Sequence, residues 1–330
     1  MPKMSRKGTK MKNIYALISV ILILSMLFLP ILCVKTGKKE GDVKPAPQEE
    51  EEEEDIFEVY FPKEDKVEKM TAEDYIICVV SAEMPAEYET EALKAQAVAA
   101  YTFASYRRNL RKEGKSDKNY DVAADHTTDQ AFVSDRKRRE NWGENSEKYS
   151  EKIDSAVKEV IGKKMTYDGE IILAAYYAIS SGRTENCLDI WGSDRAYLVS
   201  VDSSFDKQSP KYEVETVFSE QTLKEKLADI CDFSADENSF SINARSDGGS
   251  VMSVTVCGKT IKGTSLRTLL SLRSANFSIE YLAEDKSFKI TTYGYGHGIG
   301  MSQYGANCLA KQGKTYEEIL KHYYTGVEIE

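Results

Sequence analysis

Residues 14–34 form an apolar run that is long enough to cross a lipid bilayer as a helix. The run divides the chain into a short tail and a large C-terminal part. Five basic residues precede it: Lys3, Arg6, Lys7, Lys10 and Lys12. Because basic flanks stay in the cytoplasm, the sequence predicts a cytoplasmic tail at 1–13, a transmembrane signal-anchor at 14–34 and an extracytoplasmic remainder. A cleaved signal peptide is the alternative, but no A-x-A cleavage pattern follows the run.

An acidic stalk is predicted after the apolar run. Residues 35–57 contain Pro45, Pro47 and the acidic block Glu49 to Asp55, and a segment this poor in apolar side chains cannot form a core. The first 57 residues carry nine basic and nine acidic side chains, so the whole formal charge of −10 belongs to residues 58–330. Such an acidic domain is a poor nucleic-acid binder.

A predicted helix carries a carboxyl group in its last turn. Thr71 and Asp74 stand at the spacing of a capping box and mark the start of the helix. One of its faces is predicted to hold Ile76, Val80 and Glu83. Pro85 disfavours helical geometry at the preceding residue, which leaves Glu83 in the last turn. Burial and the negative end of the helix dipole both disfavour the carboxylate, so a raised pKa and a general-acid role are expected for Glu83. The alternative is a structural role, in which the carboxylate only accepts backbone hydrogen bonds or pairs with a base.

The rest of the chain mixes helix and strand patterns. Helices are predicted at 90–111 and 149–161, an irregular polar segment at 115–148, and an apolar strand or buried run at 171–179. Within 206–290, strands are predicted at 212–218, 251–257, 277–282 and 287–293, and helices at 219–230 and 264–272. The pattern predicts an α+β fold, in which a mixed helical and β domain at 58–330 contains a small inserted α+β module at about 206–290.

A glycine-rich segment runs from Tyr293 to Ala306. Its glycines at 294, 296, 298 and 300 allow close approach of the backbone to a ligand. Their spacing fits neither a dinucleotide fingerprint nor a P-loop. His297 lies in the middle of this segment, where a general acid/base, a donor to substrate, a metal ligand and a purely structural role are all open.

The cysteines and histidines give no metal or cofactor signature. Of six cysteines, Cys33 lies in the apolar run and the other five are widely spaced without a C-x-x-C pair. The three histidines lack H-E-x-x-H spacing, which disfavours a metalloprotease. No cofactor and no metal are predicted.

Four segments together resemble the stage II sporulation protein D (SpoIID) family. They are Ala82–Ala86 with Ala92–Ala100, Ser180–Asn186 with Trp191–Gly192, Lys262–Phe277, and Gly296–Ala306. The resemblance covers about residues 70–330, with the segments in the family's order. It implies a membrane-anchored lytic transglycosylase, a lyase that cuts peptidoglycan strands between N-acetylmuramic acid and N-acetylglucosamine during engulfment of the forespore.

The resemblance also implies roles for residues and partners. Glu83 matches the family's catalytic acid, which protonates the glycosidic oxygen and then takes a proton from the C6 hydroxyl to close a 1,6-anhydro ring. No second carboxylate is needed, and the nearest candidates, Glu87 and Glu185, are interpreted as surface or substrate-contact residues. The expected substrate contacts are Tyr101, Tyr177, Ser181, Gly182, His297, Gln303 and Tyr304. The expected partners are peptide-free (denuded) glycan strands, a SpoIIP-like amidase and a SpoIIM-like membrane protein.

Two positions depart from the family's pattern. Tyr101 stands where the family's A-A-R-T-Y-A segment has an arginine, and its ring is expected either to stack on a sugar or to reduce activity. Asp129 replaces the cysteine of the H-S-x-x-C-Q-A-Y segment with which some members bind zinc, so no zinc with that ligand set is expected. A non-catalytic glycan-binding or amidase-enhancing module is the alternative function.

Overall fold

The computed structural model describes residues 54–330, which form a mixed α+β fold, as predicted. The predicted anchor at 14–34 and most of the predicted stalk lie outside the described residues. Within residues 54–330, no helix combines the length and apolar character needed to span a bilayer.

Strands and helices are interspersed along the described chain. The strands are β1 (Ile56–Phe61), β2 (Lys66–Thr71), β3 (Val122–Ala123), β4 (Met165–Tyr167), β5 (Glu170–Ile171), β6 (Tyr176–Tyr177), β7 (Glu213–Ser219), β8 (Phe240–Arg245), β9 (Val251–Val256), β10 (Lys259–Lys262), β11 (Phe277–Leu282), β12 (Ser287–Tyr293), β13 (Met301–Ser302) and β14 (Glu328–Ile329). The helices are α1 (Ala72–Glu83), α2 (Thr90–Lys112), α3 (Asp135–Trp142), α4 (Ser146–Lys158), α5 (Cys187–Trp191), α6 (Glu220–Lys226), α7 (Gly263–Leu270), α8 (Gln303–Lys311) and α9 (Tyr316–Tyr323).

Helix α1 begins and ends where the sequence predicts. The Thr71 hydroxyl caps the N-terminus by accepting a hydrogen bond from the Asp74 N–H, at 3.1 Å. The helix ends at Glu83 because Met84, the residue before Pro85, is extended (φ −123°, ψ 144°). Its inner face is fully buried, which places α1 in the core.

Helix α2 is the centre of the larger hydrophobic core. It packs against α1, α4, α8 and α9, and its buried alanines let these helices approach closely. The C-terminal helices are tied to the start of α2 by polar contacts. The Glu89 N–H donates to Asn307 Oδ1 and the Tyr316 N–H donates to Glu91 Oε2, each at 2.8 Å. The C-terminal helices α8 and α9 are therefore held against the start of α2.

A second hydrophobic cluster is built by residues between Phe218 and Ile290. Strands β11, β12 and β7 form an antiparallel sheet in that order, and β10, β9 and β8 form another. The predicted strands at 277–282 and 287–293 are confirmed, with Ile279 opposite Ile290. The predicted helix at 219–230 is shorter, since α6 ends at Lys226.

Two segments differ from the sequence prediction. The polar segment 115–148 contains α3, a helix without an apolar stripe that is held by ion pairs from Arg138 to Asp135 and Asp154. The apolar run 171–179 is mostly irregular and pairs only at short points: Ile171 with Thr166 of β4, Tyr176–Tyr177 in parallel with Met301–Ser302, and Ile179 with Tyr295. The last two pairings bring the run against the glycine-rich segment.

Candidate active site

A groove of about 650 Å³ lies at the C-terminal end of α1. Its lining comes from the end of α1, the loop 126–131, the run 173–178, the glycine-rich segment and the start of α8, with single side chains from α2, α5 and α7. Its side chains include Glu83, Phe103, His126, Asp129, Tyr176, Tyr177, Trp191, Arg267, Tyr295, His297 and Gln303. The groove thus joins elements that are far apart in sequence.

Glu83 is the carboxyl group at the α1 end of this groove. Its Oε1 accepts a hydrogen bond from the Ala131 N–H at 2.8 Å, and its Oε2 accepts one from Gln303 Nε2 at 2.9 Å. Burial raises the pKa of Glu83, although the Gln303 and Ala131 hydrogen bonds and the nearby His126 partly offset this effect. The group is therefore oriented, partly desolvated and disposed to hold a proton.

Gln303 is placed by the cap of α8. The Ser302 hydroxyl accepts a hydrogen bond from the Gly305 N–H at 3.2 Å and caps the helix. Gln303 is buried in the first turn, where its Nε2 also lies 3.4 Å from Gln96 Oε1 of α2. The amide therefore links the acid to the central helix.

Asp206 holds Ser302, the residue that caps α8, in place. Its Oδ1 accepts hydrogen bonds from the Ser180 N–H at 2.8 Å and the Ser302 hydroxyl at 2.5 Å. Its Oδ2 accepts one from the Ser203 hydroxyl at 2.7 Å. Burial raises the pKa of Asp206 to about 6, with the three hydrogen bonds acting in the opposite direction. Asp206 holds the residue beside Gln303 and does not line the groove.

His297 has both ring nitrogens engaged by the backbone. Nδ1 accepts from the Ile299 N–H at 3.1 Å, so Nε2 carries the proton and donates to the Tyr176 carbonyl, also at 3.1 Å. Burial, together with the nearby Arg267, lowers the pKa of His297 to about 4, against the opposing effect of the Tyr176 carbonyl. The ring is therefore neutral, with no nitrogen left for a metal or for proton transfer. Of the roles left open by the sequence, a positioning one fits this geometry.

Aromatic rings line the other walls of the groove. The His297 ring lies 5.4 Å from the ring of Tyr177 and 5.1 Å from that of Trp191. Trp191 and Tyr295 are 43% and 48% exposed, which is unusual for such large side chains. Gly296 permits the packing behind them, since a Cβ there would lie 2.5 Å from Tyr177 Cβ. The exposed rings of Trp191 and Tyr295 offer flat apolar faces to a ligand.

Four of the expected substrate contacts do not line the groove. Tyr101 is 8% exposed and its hydroxyl donates to Asp55 Oδ2 at 2.6 Å, so the expectation that its ring stacks on a sugar is corrected. The Ser181 hydroxyl donates to the Gly248 carbonyl at 3.0 Å, and Gly182 is buried. The ring of Tyr304 packs against Tyr88 instead, at 6.4 Å. Glu83, Tyr177, His297 and Gln303 are the predicted residues that the fold brings together.

Asp129 is tied to the protein. The Ala123 N–H donates to one of its oxygens at 2.8 Å, and Arg107 Nε lies 3.1 Å from the other. Its side chain is 1% exposed. Within residues 54–330, no cluster of three or more His, Cys, Asp or Glu side chains has the geometry to hold a metal.

A second hollow, of about 730 Å³, lies along the other side of α1 and does not contain Glu83. Its walls are lined by charged side chains, among them the pairs that Arg138 forms with Asp135 and Asp154. Because these charges are satisfied by one another, we place the chemistry in the smaller groove.

Known relatives identify the family. A family model described as SpoIID, stage II sporulation protein, matches residues 60–167. A stage II sporulation protein D of Bacillus amyloliquefaciens is 39% identical over 271 residues, which cover 82% of this chain and 77% of the relative. The chain belongs to the SpoIID family. The protein of the same name from Bacillus subtilis strain 168 is 38% identical over 271 residues, covering 82% of this chain and 78% of that relative. A protein named amidase enhancer, also from Bacillus subtilis strain 168, is 28% identical over 304 residues, which cover 76% of this chain and 39% of that protein.

In this SpoIID-family chain, several groove residues escaped the sequence prediction. Phe103, Tyr176, Trp191, Arg267 and Tyr295 line the groove without having been proposed as site residues. Trp191 and Arg267 lie in the segments that resemble the family. A search of those segments for large or charged side chains would have found both. No such signal marks Phe103 or Tyr176, whose positions depend on helix and strand packing.

Proposed function

We propose that this protein is a lytic transglycosylase that cleaves peptidoglycan glycan strands to 1,6-anhydro products, with Glu83 as its single acid and base. The observation that carries the proposal is the position of Glu83 in a groove. Burial raises the pKa of its carboxyl group, and two hydrogen bonds fix the plane of that group. A raised pKa keeps a carboxyl group protonated to higher pH, and a general acid must carry a proton to give.

The reaction needs one carboxyl group in two protonation states. Protonated Glu83 gives its proton to the glycosidic oxygen, and the bond to the C1 carbon of N-acetylmuramic acid breaks. The resulting carboxylate takes the proton of the C6 hydroxyl, whose oxygen then bonds to C1 and closes the anhydro ring. Each oxygen of Glu83 keeps a second lone pair for this proton, since the Ala131 and Gln303 bonds occupy one each.

The surroundings of Glu83 favour this route over hydrolysis with paired carboxylates. The other carboxyl group in the groove, Asp129, is buried and paired with Arg107. Glu185 is 1% exposed and accepts a hydrogen bond from the Ser250 N–H at 3.0 Å, and Glu87 accepts one from the Tyr149 hydroxyl at 2.7 Å. Neither of these two lines the groove. No second acid is therefore placed to activate water beside Glu83 within residues 54–330.

The aromatic walls give the sugar a place to bind. The rings of Trp191 and Tyr295 line the groove and are exposed, and apolar ring faces pack well on the C–H faces of sugars. Such walls orient the substrate and limit water around the oxocarbenium-like transition state.

We further propose that the enzyme acts at the cell membrane in forespore engulfment. The predicted anchor at 14–34 would hold the N-terminus in the cytoplasm and the groove outside. Its proposed substrate is the peptide-free glycan strand, and its proposed partners are a SpoIIP-like amidase and a SpoIIM-like membrane protein. These proposals rest on the sequence and on membership of the SpoIID family.

The variant Glu83→Gln tests the mechanism. Glutamine keeps the shape of the side chain but neither gives nor takes the proton, so we expect the loss of anhydro ends from peptide-free strands. The full-length protein in detergent is incubated with purified strands, and the products are weighed by mass spectrometry. Unchanged thermal unfolding shows that the variant is folded. Normal turnover by folded Glu83→Gln would refute the mechanism.

A non-catalytic module that binds glycan or enhances an amidase is the second candidate. The exposed rings of Trp191 and Tyr295 favour glycan binding as such, and one relative is named amidase enhancer. The same incubation separates the candidates, because a binding module leaves the strands uncut. Products heavier than the anhydro form by one water would instead indicate a hydrolase.

A further inference from the structure

Arg267 is an unpaired charge in the wall of the groove. It lies on α7 and is half-buried, and its Nε donates to the Leu272 carbonyl at 3.3 Å. Within residues 54–330, its Nη1 and Nη2 have no hydrogen-bond partner, and no carboxylate lies within ion-pair distance of it. Burial lowers the pKa of Arg267, which reflects the cost of holding this cation away from water.

Other buried or half-buried arginines have a carboxylate partner, or partners for their terminal nitrogens, within the protein. Four pair with a carboxylate: Arg107 with Asp129, Arg108 with Asp55, Arg111 with Asp121, and Arg138 with Asp154. Two half-buried arginines without a carboxylate partner still use a terminal nitrogen: Arg195 donates to the Tyr197 and Tyr106 hydroxyls, and Arg273 donates to the Lys211 carbonyl. Arg267 is set apart from them by lining the groove. The Nε bond fixes the plane of its guanidinium and leaves the Nη edge for a ligand. A carboxylate is the ligand that matches such an edge.

The neighbours of Arg267 indicate what carries that carboxylate. Trp191, Tyr295 and His297 line the same groove, and the two large rings are exposed. The Tyr295 ring is held by the Arg273 guanidinium, which lies 4.5 Å from its centroid. A cation beside exposed aromatic rings suits an acidic sugar, because the rings take the C–H faces and the cation takes the acid.

We propose that Arg267 binds the free lactyl carboxylate of N-acetylmuramic acid, and that it thereby selects peptide-free strands. This inference rests on the proposed function, since it concerns the substrate of the same groove. In intact peptidoglycan, the lactyl group is joined to the stem peptide through an amide and carries no charge. Hydrolysis of that amide releases the carboxylate and gives the peptide-free strand a charge that the intact strand lacks.

The test compares binding of two strands that differ in this one charge. One is the peptide-free strand, and the other is the same strand with its lactyl carboxylates converted to N-methylamides. Binding is measured by calorimetry on the full-length protein in detergent, in the Glu83→Gln background so that no cleavage occurs. We expect the carboxylate strand to bind about 10- to 100-fold more tightly, as is typical of a charge-assisted hydrogen-bonded pair.

Adding Arg267→Gln is expected to weaken binding of the carboxylate strand alone and to bring the two affinities together. Arg136→Gln is the matched control, because this exposed arginine on α3 does not line the groove and its loss removes the same net charge. The control is expected to keep the full preference. If Arg267→Gln does not fold, Arg267→Lys is used. It is expected to keep only part of the preference, because lysine lacks the two parallel N–H donors of a guanidinium.

The outcomes separate this inference from the proposed function. Equal binding of the two strands in the Glu83→Gln background, no binding of either, or an equal loss for both strands in Arg267→Gln would overturn the role of Arg267. Wild-type protein that shows the preference yet makes no anhydro ends would refute the transglycosylase proposal and leave the role of Arg267 standing. Cleavage of both strands to anhydro ends at equal rates would support the transglycosylase proposal and overturn the role of Arg267.

Discussion

The hydrogen bond from Gln303 to Glu83 sets how easily the acid ionises, and Gln303→Leu tests this directly. Gln303 Nε2 donates to Oε2 of Glu83 at 2.9 Å, while the Ala131 N–H serves the other oxygen. A hydrogen bond to a charged group is worth about 1.5 to 3 kcal/mol. Since about 1.4 kcal/mol corresponds to a factor of ten, the loss should reduce the acid dissociation constant of Glu83 by roughly 10- to 150-fold. Leucine also adds apolar surface, which acts in the same direction.

The variant should therefore stay protonated to higher pH. We expect the alkaline limb of its pH-rate profile for anhydro formation to move upward by about 1 to 2 pH units. An NMR titration of the Glu83 side-chain carboxyl carbon, assigned by comparison with Glu83→Gln, measures the same change without any turnover. Gln312→Leu, at the exposed C-terminal end of the same helix, is the control and should leave the pKa unchanged.

The stability of the protein should change in a matching way. The pKa of Glu83 is raised in the folded protein, so its ionisation destabilises the fold as pH rises above 4.5, the ordinary pKa of a glutamate. This penalty grows in Gln303→Leu, so the variant should lose more stability than the wild type as pH rises from about 5 to about 8. An unchanged or lowered pKa of Glu83 in folded Gln303→Leu would refute the reasoning.

Three further predictions concern residues around the groove. Tyr101→Phe should lower the free energy of unfolding by about 1 to 2 kcal/mol through loss of the hydrogen bond to Asp55, with kcat/KM on glycan strands unchanged; a large loss of kcat/KM without a loss of stability would restore a substrate role. Gly300→Ala should destabilise far more than Gly258→Ala in thermal unfolding, because both have positive φ but only the first would collide with a backbone carbonyl; equal costs would contradict this. The pKa of Asp206 is about 6 in the folded protein, against an ordinary value of 3.8. The wild type should therefore lose about 3 kcal/mol of stability as pH rises from about 4 through 6, and Asp206→Asn should lack this loss. Urea unfolding measures both, and an equal pH dependence of the free energy of unfolding in the two proteins would argue against the prediction.

Local patterns predicted helices well because their signals lie within a few residues. The Thr71 cap and the Pro85 stop bound α1, and Gly114 follows the end of α2. The same locality explains why α3 was missed. Its residues are nearly all polar, and one of the ion pairs of Arg138 is formed with Asp154 of α4, a partner that the local sequence does not reveal.

The site was predictable where chemistry is carried by residue type and spacing. An acid at the end of an apolar face, followed by proline, marks Glu83, and the glycine-rich segment marks the neighbourhood of His297 and Gln303. Tyr101 was misplaced because sequence spacing does not indicate which side of a buried helix faces a cavity. Its ring lies against Phe57 at 5.9 Å and its hydroxyl against Asp55, on the side of α2 that the first strand covers.

The role of His297 required the structure for a different reason. A histidine in a glycine-rich loop is compatible with several roles, and the choice depends on what each ring nitrogen contacts. Two backbone groups, at Tyr176 and Ile299, satisfy both nitrogens, and sequence pattern does not reveal such contacts.

The hydrogen bond between Gln303 and Glu83 joins residues 220 positions apart, and the one between Asn307 and Glu89 spans 218. Contacts of this separation form late, because a long stretch of chain must be ordered before they bring any stabilisation. During synthesis, α1 emerges long before the residues that orient its acid, so a partly made chain carries Glu83 without a groove around it. The proposed cleavage of glycan strands therefore requires a nearly complete fold. The contacts between distant parts of the chain thus make the proposed activity depend on complete folding, as well as fixing the geometry of the acid.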